Sequence, residues 1–164
     1  MGTLRSLGIL HANRGDYAAM EREFLRALAI AEDAGLTEGR QYGQLLNGLG
    51  VTYNLKGEPD GARTYLERAL AFRERKFGPE SLAVSDILEN LGSLCTQTKD
   101  YGAAEKYFLR SLALREKYLG PEHPDYGDML ANLAAIYFIE SKYQKSLELS
   151  LRAGHLREDL ELRR

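Results

Sequence analysis

Apolar residues recur along this chain at helical spacing, and the pattern returns four times. Leu46, Leu49, Gly50 and Tyr53 fall at i, i+3, i+4 and i+7, the stripe of one helix face. After a short polar break the stripe resumes at Ala62, Leu66, Ala69 and Leu70, which predicts a second helix. Leu7-Gly8, Leu49-Gly50, Leu91-Gly92 and Leu133-Ala134 stand 42 residues apart. The interval is kept by Leu4, Leu46, Leu88 and Leu130, and by His11, Tyr53, Cys95 and Tyr137. Met20, Ala62, Ala104 and Ser146 keep it too, as do Phe24, Leu66, Phe108 and Ser150, and Ala27, Ala69, Ser111 and Ala153. Coincidence at so many places predicts one domain over 1–164, built of helix pairs at approximately 1–42, 43–84, 85–126 and 127–164.

The breaks fall where turn chemistry places them. Asn13-Arg14-Gly15-Asp16 offers a turn glycine and an N-cap aspartate. In Lys56-Gly57-Glu58-Pro59 the proline falls near a first helical turn, where its missing N–H costs little. Asp100 can cap a helix starting at Tyr101, and Gly78-Pro79 and Gly120-Pro121 end second helices. Gly8, Gly50, Gly92 and Ala134 allow close approach of the paired helices, while Tyr17, Tyr101, Tyr143, Phe24 and Phe108 fill space around them. One helix pair cannot bury its own apolar face, so neighbours must stack. The expected fold is all-α: a right-handed superhelical array with a concave face, built from about eight antiparallel helices.

The ends carry expectations of their own. Residue 1 already falls within the first helix of repeat one. In repeat four Ser146, Ser150 and Gly154 replace Ala, Phe and Leu, which suggests a terminal repeat with a solvated outer face, followed by a charged tail from Arg157 to Arg164. An excised segment and a short natural array both fit.

Composition narrows the function classes. Hydrophobic residues at 44% and charged residues at 28%, with 4 Pro, suit a soluble helical protein. A net charge of −2 gives no electrostatic reason for a nucleic acid or anionic membrane partner. No apolar run approaches the roughly 20 residues that span a bilayer, and the N-terminus lacks a secretory pattern. Cys95, the single cysteine, cannot form an intrachain disulfide, which fits a reducing, cytoplasmic compartment. It also occupies the core tyrosine register, so it reads as packing rather than as a nucleophile.

Nothing in the chain spells catalysis. His11, His123 and His155 lie far apart with no ligand at metal spacing, so no metal or other cofactor is expected. The glycines punctuate helices instead of forming a phosphate loop. Acidic residues stand at i, i+4 from Lys and Arg, as on solvated helix faces, and Arg73-Glu74-Arg75-Lys76 reads the same way.

The Leu-Gly pair, the Tyr three beyond the Gly, the Gly-x-Tyr turn and the later Ala, Phe and Ala resemble the tetratricopeptide repeat (TPR) family. The period exceeds the common one of about 34 residues by about two helical turns. Leu114-Arg115-Glu116-Lys117-Tyr118-Leu119-Gly120-Pro121-Glu122-His123-Pro124-Asp125, with Asn90-Leu91-Gly92 and Asn132-Leu133-Ala134, is similar to the kinesin-light-chain-like subclass.

The resemblance implies a solenoid whose first helices line a concave, peptide-binding groove. The candidates are then Arg5, Ile9 and Asn13 in repeat one and Gln44, Asn47, Val51 and Asn54 in repeat two. Repeat three offers Asp86, Glu89, Ser93, Thr96 and Gln97, and repeat four Asp128, Ala131, Ala135 and Phe138. Asn90 and Asn132 face a bound peptide or a neighbouring helix. Asn and Gln both donate to and accept from a peptide backbone. Kinesin light chain grooves look basic. Here Asp86, Glu89 and Asp128 give an acidic middle opposed by Arg5 alone, which favours a neutral or basic peptide or protein segment. The leading expectation is a non-enzymatic scaffold, a monomer or a weak end-to-end self-associate. The alternatives are a sensor module of a larger signalling protein and a self-assembling array, natural or engineered.

Overall fold

A computed structural model describes residues 16–162, with side chains through residue 158. Every regular element among them is helical: α1 (Tyr17–Asp33), α2 (Arg40–Lys56), α3 (Pro59–Phe77), α4 (Ser85–Gln97), α5 (Tyr101–Leu119), α6 (Pro124–Ile139) and α7 (Tyr143–Leu162). A 3-10 turn, Leu82–Val84, leads into α4. These are seven of the eight expected helices. The remaining one, the first helix of repeat one, lies outside the described residues together with Arg5, Ile9, His11 and Asn13.

Local chemistry sets the helix ends. Asp16 Oδ1 accepts from the Ala19 N–H at 3.0 Å and Asp100 Oδ1 from the Ala103 N–H at 3.1 Å, so both expected N-caps are formed. Helix α3 begins at Pro59. His123, for which no capping role was expected, caps α6, its Nδ1 accepting from the Asp125 N–H at 3.2 Å.

The tight turn inside repeats two, three and four needs a left-handed residue, and Gly57 supplies the first at φ 76°. One and two periods later Lys99 (φ 63°) and Ser141 (φ 61°) occupy the same register and the same conformation. All three turns close alike: the next N–H, of Glu58, Asp100 or Lys142, donates to the carbonyl of Tyr53, Cys95 or Tyr137 at 2.8–2.9 Å. Two side chains that disfavour this conformation are held in it by the repeat.

The chain divides into two compact units between Arg75 and Lys76. In the first, Gly50 is covered by Leu66 so closely that a Cβ would lie 2.5 Å from Leu66 Cγ, and Gly43 by the Phe72 ring at 2.7 Å. Leu46, Leu49, Ala62, Leu66 and Ala69 are at most 1% exposed. In the second, Gly92 meets the Phe108 ring at 2.6 Å, and Cys95, Ala104, Phe108, Met129, Leu133 and Ile136 form one buried cluster drawn from α4, α5 and α6. Burying each large aliphatic side chain contributes about 1.5–3 kcal/mol.

Polar clasps tie each of two first helices to the preceding second helix. In the first unit Tyr53 and Lys56 of α2 donate to Glu21 of α1 at 2.7 and 2.6 Å. In the second, Tyr137 of α6 donates to Glu105 of α5 at 2.7 Å. The Glu21 bond pushes Tyr53 up to about 12, and the Lys56 bond, then the Tyr53 bond, holds Glu21 below its ordinary 4.5. Burial first, then the Glu105 bond, raises Tyr137 to about 12.

The end of the array departs from expectation. Ser146 does not face solvent: it is 8% exposed and donates to the Ala134 carbonyl at 2.8 Å, filling the slot of the core alanines. That backbone acceptor lets a serine take an inward position without an orphaned hydroxyl. Ser150 is exposed as expected, but the outer face of α7 also carries Tyr143, Leu147 and Leu151 at 59%, 56% and 53% exposure.

Candidate functional site

In the first unit the candidate side chains belong to α2. Gln44 is exposed, and Asn47, Val51 and Asn54 are half-buried. Asn54 Oδ1 is buried and meets no donor among the described residues. Neither Asn47 nor, in the second unit, Asn90 is free of partners.

The second unit presents two first-helix faces. On α4, Asp86 and Gln97 are exposed, while Glu89, Asn90, Ser93 and Thr96 are half-buried. The Thr96 hydroxyl donates to the Gly92 carbonyl at 2.9 Å, so its proton is already used within the helix. On α6, Asp128, Ala131, Ala135 and Phe138 are exposed at i, i+3, i+7 and i+10, which is one helix face. Asn132 sits half-buried at its edge, and Tyr126, Met129, Leu133 and Ile136 point the opposite way into the core. Phe138 is 63% exposed and lies edge-on to Tyr143, centroids 5.6 Å apart.

The charge of this region differs from the sequence expectation, because Arg115 was not among the candidates. Arg115 of α5 is 5% exposed. Its Nη2 donates to Glu89 Oε2 at 2.6 Å and lies 3.9 Å from Asp86 Oδ1, and its Nη1 donates to the Asp125 carbonyl at 2.8 Å. A buried cation therefore neutralises Glu89 and touches Asp86, so the acidic middle is not opposed by Arg5 alone. A signal existed in the sequence: Ala104, Phe108, Ser111 and Arg115 form one helical stripe, and an arginine on a core stripe needs a carboxylate beneath it.

Two clefts lie beside these helices, each within one unit. A small one of about 70 Å³ lies between α6 and α7, with Asp128, Gly127, Leu156 and Arg157 in its wall. The larger, about 470 Å³, is in the first unit beside Tyr42, Phe72, Arg68 and Arg75. Its two guanidiniums are taken by Glu32 and Glu38, each at 2.9 Å, so it offers no open anion site. Cys95 is fully buried. Among the described residues no three His, Cys, Asp or Glu side chains converge as a metal ion would require, and no helix is long and apolar enough to cross a membrane.

A family model described as tetratricopeptide repeat matches residues 1–75 and 81–153. No curated protein matches the sequence. BtubC (BKLC) from P. vanneervenii has a similar crystal structure, with TM-score 0.87 at 26% identity over 98% of this chain and 64% of that one. The present chain thus spans less than two thirds of that relative. A Podosopora anserina protein assigned as a kinesin light chain, with nearly identical TPR-like repeats, gives TM-score 0.83 at 17% identity over 96% of this chain and 74% of its own. A single-substitution variant of it gives the same figures. These two likenesses establish the fold alone.

Proposed function

The chain belongs to the tetratricopeptide repeat family, whose repeats generally mediate protein–protein interaction, and from that premise we propose that it is a non-catalytic scaffold binding an extended peptide or partner segment on its first-helix faces. The observation that carries this reading is the exposed face of α6. Asp128, Ala131, Ala135 and Phe138 take no part in the core, and Phe138 at 63% exposure lies against the Tyr143 ring at 59%, so the two together offer an apolar patch that a partner could cover. The alanines leave a shallow floor with Asn132 at its edge, and Asn132, like Gln44, Asn47 and Asn90 on other first-helix faces, is of the type that pairs with peptide backbone. A neutral or basic segment suits the remaining carboxylates, and the cytoplasm suits a protein with one buried thiol.

The test is capture. The intact chain is used as bait, then the doubly substituted Ala131→Arg/Ala135→Arg chain, whose exposed changes leave the core untouched. Loss of the captured partner with unchanged helicity supports the reading. Full retention of every partner by the double variant sinks it.

A second reading, self-association through the outer face of α7, is favoured by Tyr143, Leu147 and Leu151 at i, i+4 and i+8, all more than half exposed. In the 42-residue register Leu147 stands where Glu21 and Glu105 receive a tyrosine from the following helix. Sedimentation velocity across a wide concentration range tests this. A single concentration-independent species, unchanged in Leu147→Glu, excludes it.

A further inference from the structure

We infer that the exposed face of α6 is a two-point anchor for a peptide with one basic and one large apolar side chain, Asp128 taking the cation and Phe138 the apolar group. The inference rests on the scaffold reading above and names the chemistry of its ligand.

The charge argument comes from the repeat register. Asp86, Glu89 and Arg115 of repeat three correspond to Asp128, Ala131 and Arg157 of repeat four. In repeat three Glu89 holds Arg115 in a buried position at 2.6 Å, and Asp86 shares that guanidinium at 3.9 Å. In repeat four alanine stands in place of Glu89. No carboxylate among the described residues draws Arg157 inward, and it stays exposed in the wall of the small cleft that Asp128 also lines. Asp128 is exposed and makes no ion pair or hydrogen bond among the described residues. Of the three carboxylates expected to make this region acidic, it alone has no cation beside it among the described residues, so a cationic side chain is the complementary ligand group.

Geometry supplies the second point. Between Asp128 and Phe138 the exposed face carries only Ala131 and Ala135, so a ligand backbone can lie close to the helix. Phe138, edge-on to Tyr143, makes an apolar ledge at the far end, where both rings are more than half exposed. Ten residues of helix separate the anchors by about 15 Å. An extended peptide rises about 3.3 Å per residue, so its basic and apolar side chains stand about four or five residues apart.

Fluorescein-labelled peptides of a Ser/Ala background test this by anisotropy with the full chain. One carries Arg and Phe four residues apart, a second carries them adjacent, and a third replaces Arg by Glu. The first peptide is expected to bind best. Asp128→Asn should weaken it about two- to fivefold and flatten its salt dependence. Phe138→Ala should weaken it about tenfold with the salt dependence kept. Arg157→Gln, which removes the nearby competing cation, should tighten it. Equal binding of the acidic peptide overturns the inference, as does indifference to both Asp128→Asn and Phe138→Ala. If binding survives those two changes yet is lost in Ala131→Arg/Ala135→Arg, the anchors fail while the scaffold reading stands. If no peptide binds, the anchors fail and the capture experiment alone decides the scaffold.

Discussion

Tyr53 donates its hydroxyl to Glu21 at 2.7 Å, reaching back 32 residues from the first helix of repeat two to the second helix of repeat one. Tyr137 and Glu105 repeat the arrangement at the same sequence separation and the same 2.7 Å. Stacked amphipathic helices can slide along an apolar seam, and a directional bond between fixed registers opposes that slip. The clasp also makes stability depend on pH at both ends of the scale.

At the acid end the sign follows from Glu21, whose pKa is lowered from 4.5 in the folded chain, chiefly by Lys56 and then by Tyr53. Its contribution is fully present above 4.5 and is lost as pH falls through the depressed folded value. At the alkaline end Tyr53 is raised from 10.0 to about 12, so its contribution holds below 10.0 and disappears as pH rises toward 12. Tyr53→Phe should therefore cost about 1 kcal/mol at neutral pH, because the clasp is partly solvated. Denaturant titrations should show the gap to the parent chain closing below pH 4.5 and above pH 10.0.

One substitution should have opposite signs at two glycines. Gly92→Ala places a Cβ 2.6 Å from the Phe108 ring, inside the packed α4–α5 contact, and should destabilise by about 1–3 kcal/mol. Gly154→Ala, within α7 and with nothing inside 4 Å, should stabilise by about 1 kcal/mol through helix propensity. Thermal melts of the two variants moving in the same direction would contradict the packing argument.

The left-handed turns offer a gain. Lys99→Gly and Ser141→Gly relieve side chains held at φ 63° and 61°, and each should stabilise by about 1 kcal/mol. Gly57→Ala, at φ 76°, should cost a similar amount. Melting temperatures that rank these three differently would show that the turn residues are not strained.

Glu89→Ala should cost about 2 kcal/mol, because it strands a guanidinium that is 5% exposed with one carbonyl and a distant carboxylate. Replacing both partners, Arg115→Met with Glu89→Leu, should recover most of that loss. Chemical denaturation of the single and double variants measures the coupling directly, and additive costs would show that the pair is not an interacting unit.

Much of the described fold was legible because its determinants are local or periodic. A 3.6-residue stripe marks each helix face whatever packs on it, and an aspartate before a helix finds its N–H within three residues. The interval of 42 residues then aligns Gly50 with Gly92 and Ala62 with Ala104, and a small residue in such a register has one use, close approach. The same periodicity placed Asp128, Ala131, Ala135 and Phe138 on one face of α6, and all four are exposed.

Where local pattern ended, reading failed in traceable ways. Lys99 and Ser141 carry no glycine to announce a left-handed turn; only the closed repeat holds them there. Ser146 looks like a surface residue until the Ala134 carbonyl is seen 2.8 Å away. Arg115 meets Glu89 across 26 residues, and Tyr53 meets Glu21 across 32. Residue order and helical period thus determined the elements, their caps and their buried faces. The tertiary structure alone decided which charges cancel and which remain open to a ligand, because Coulomb and hydrogen-bond energies depend on distances of a few ångströms between side chains the sequence keeps far apart.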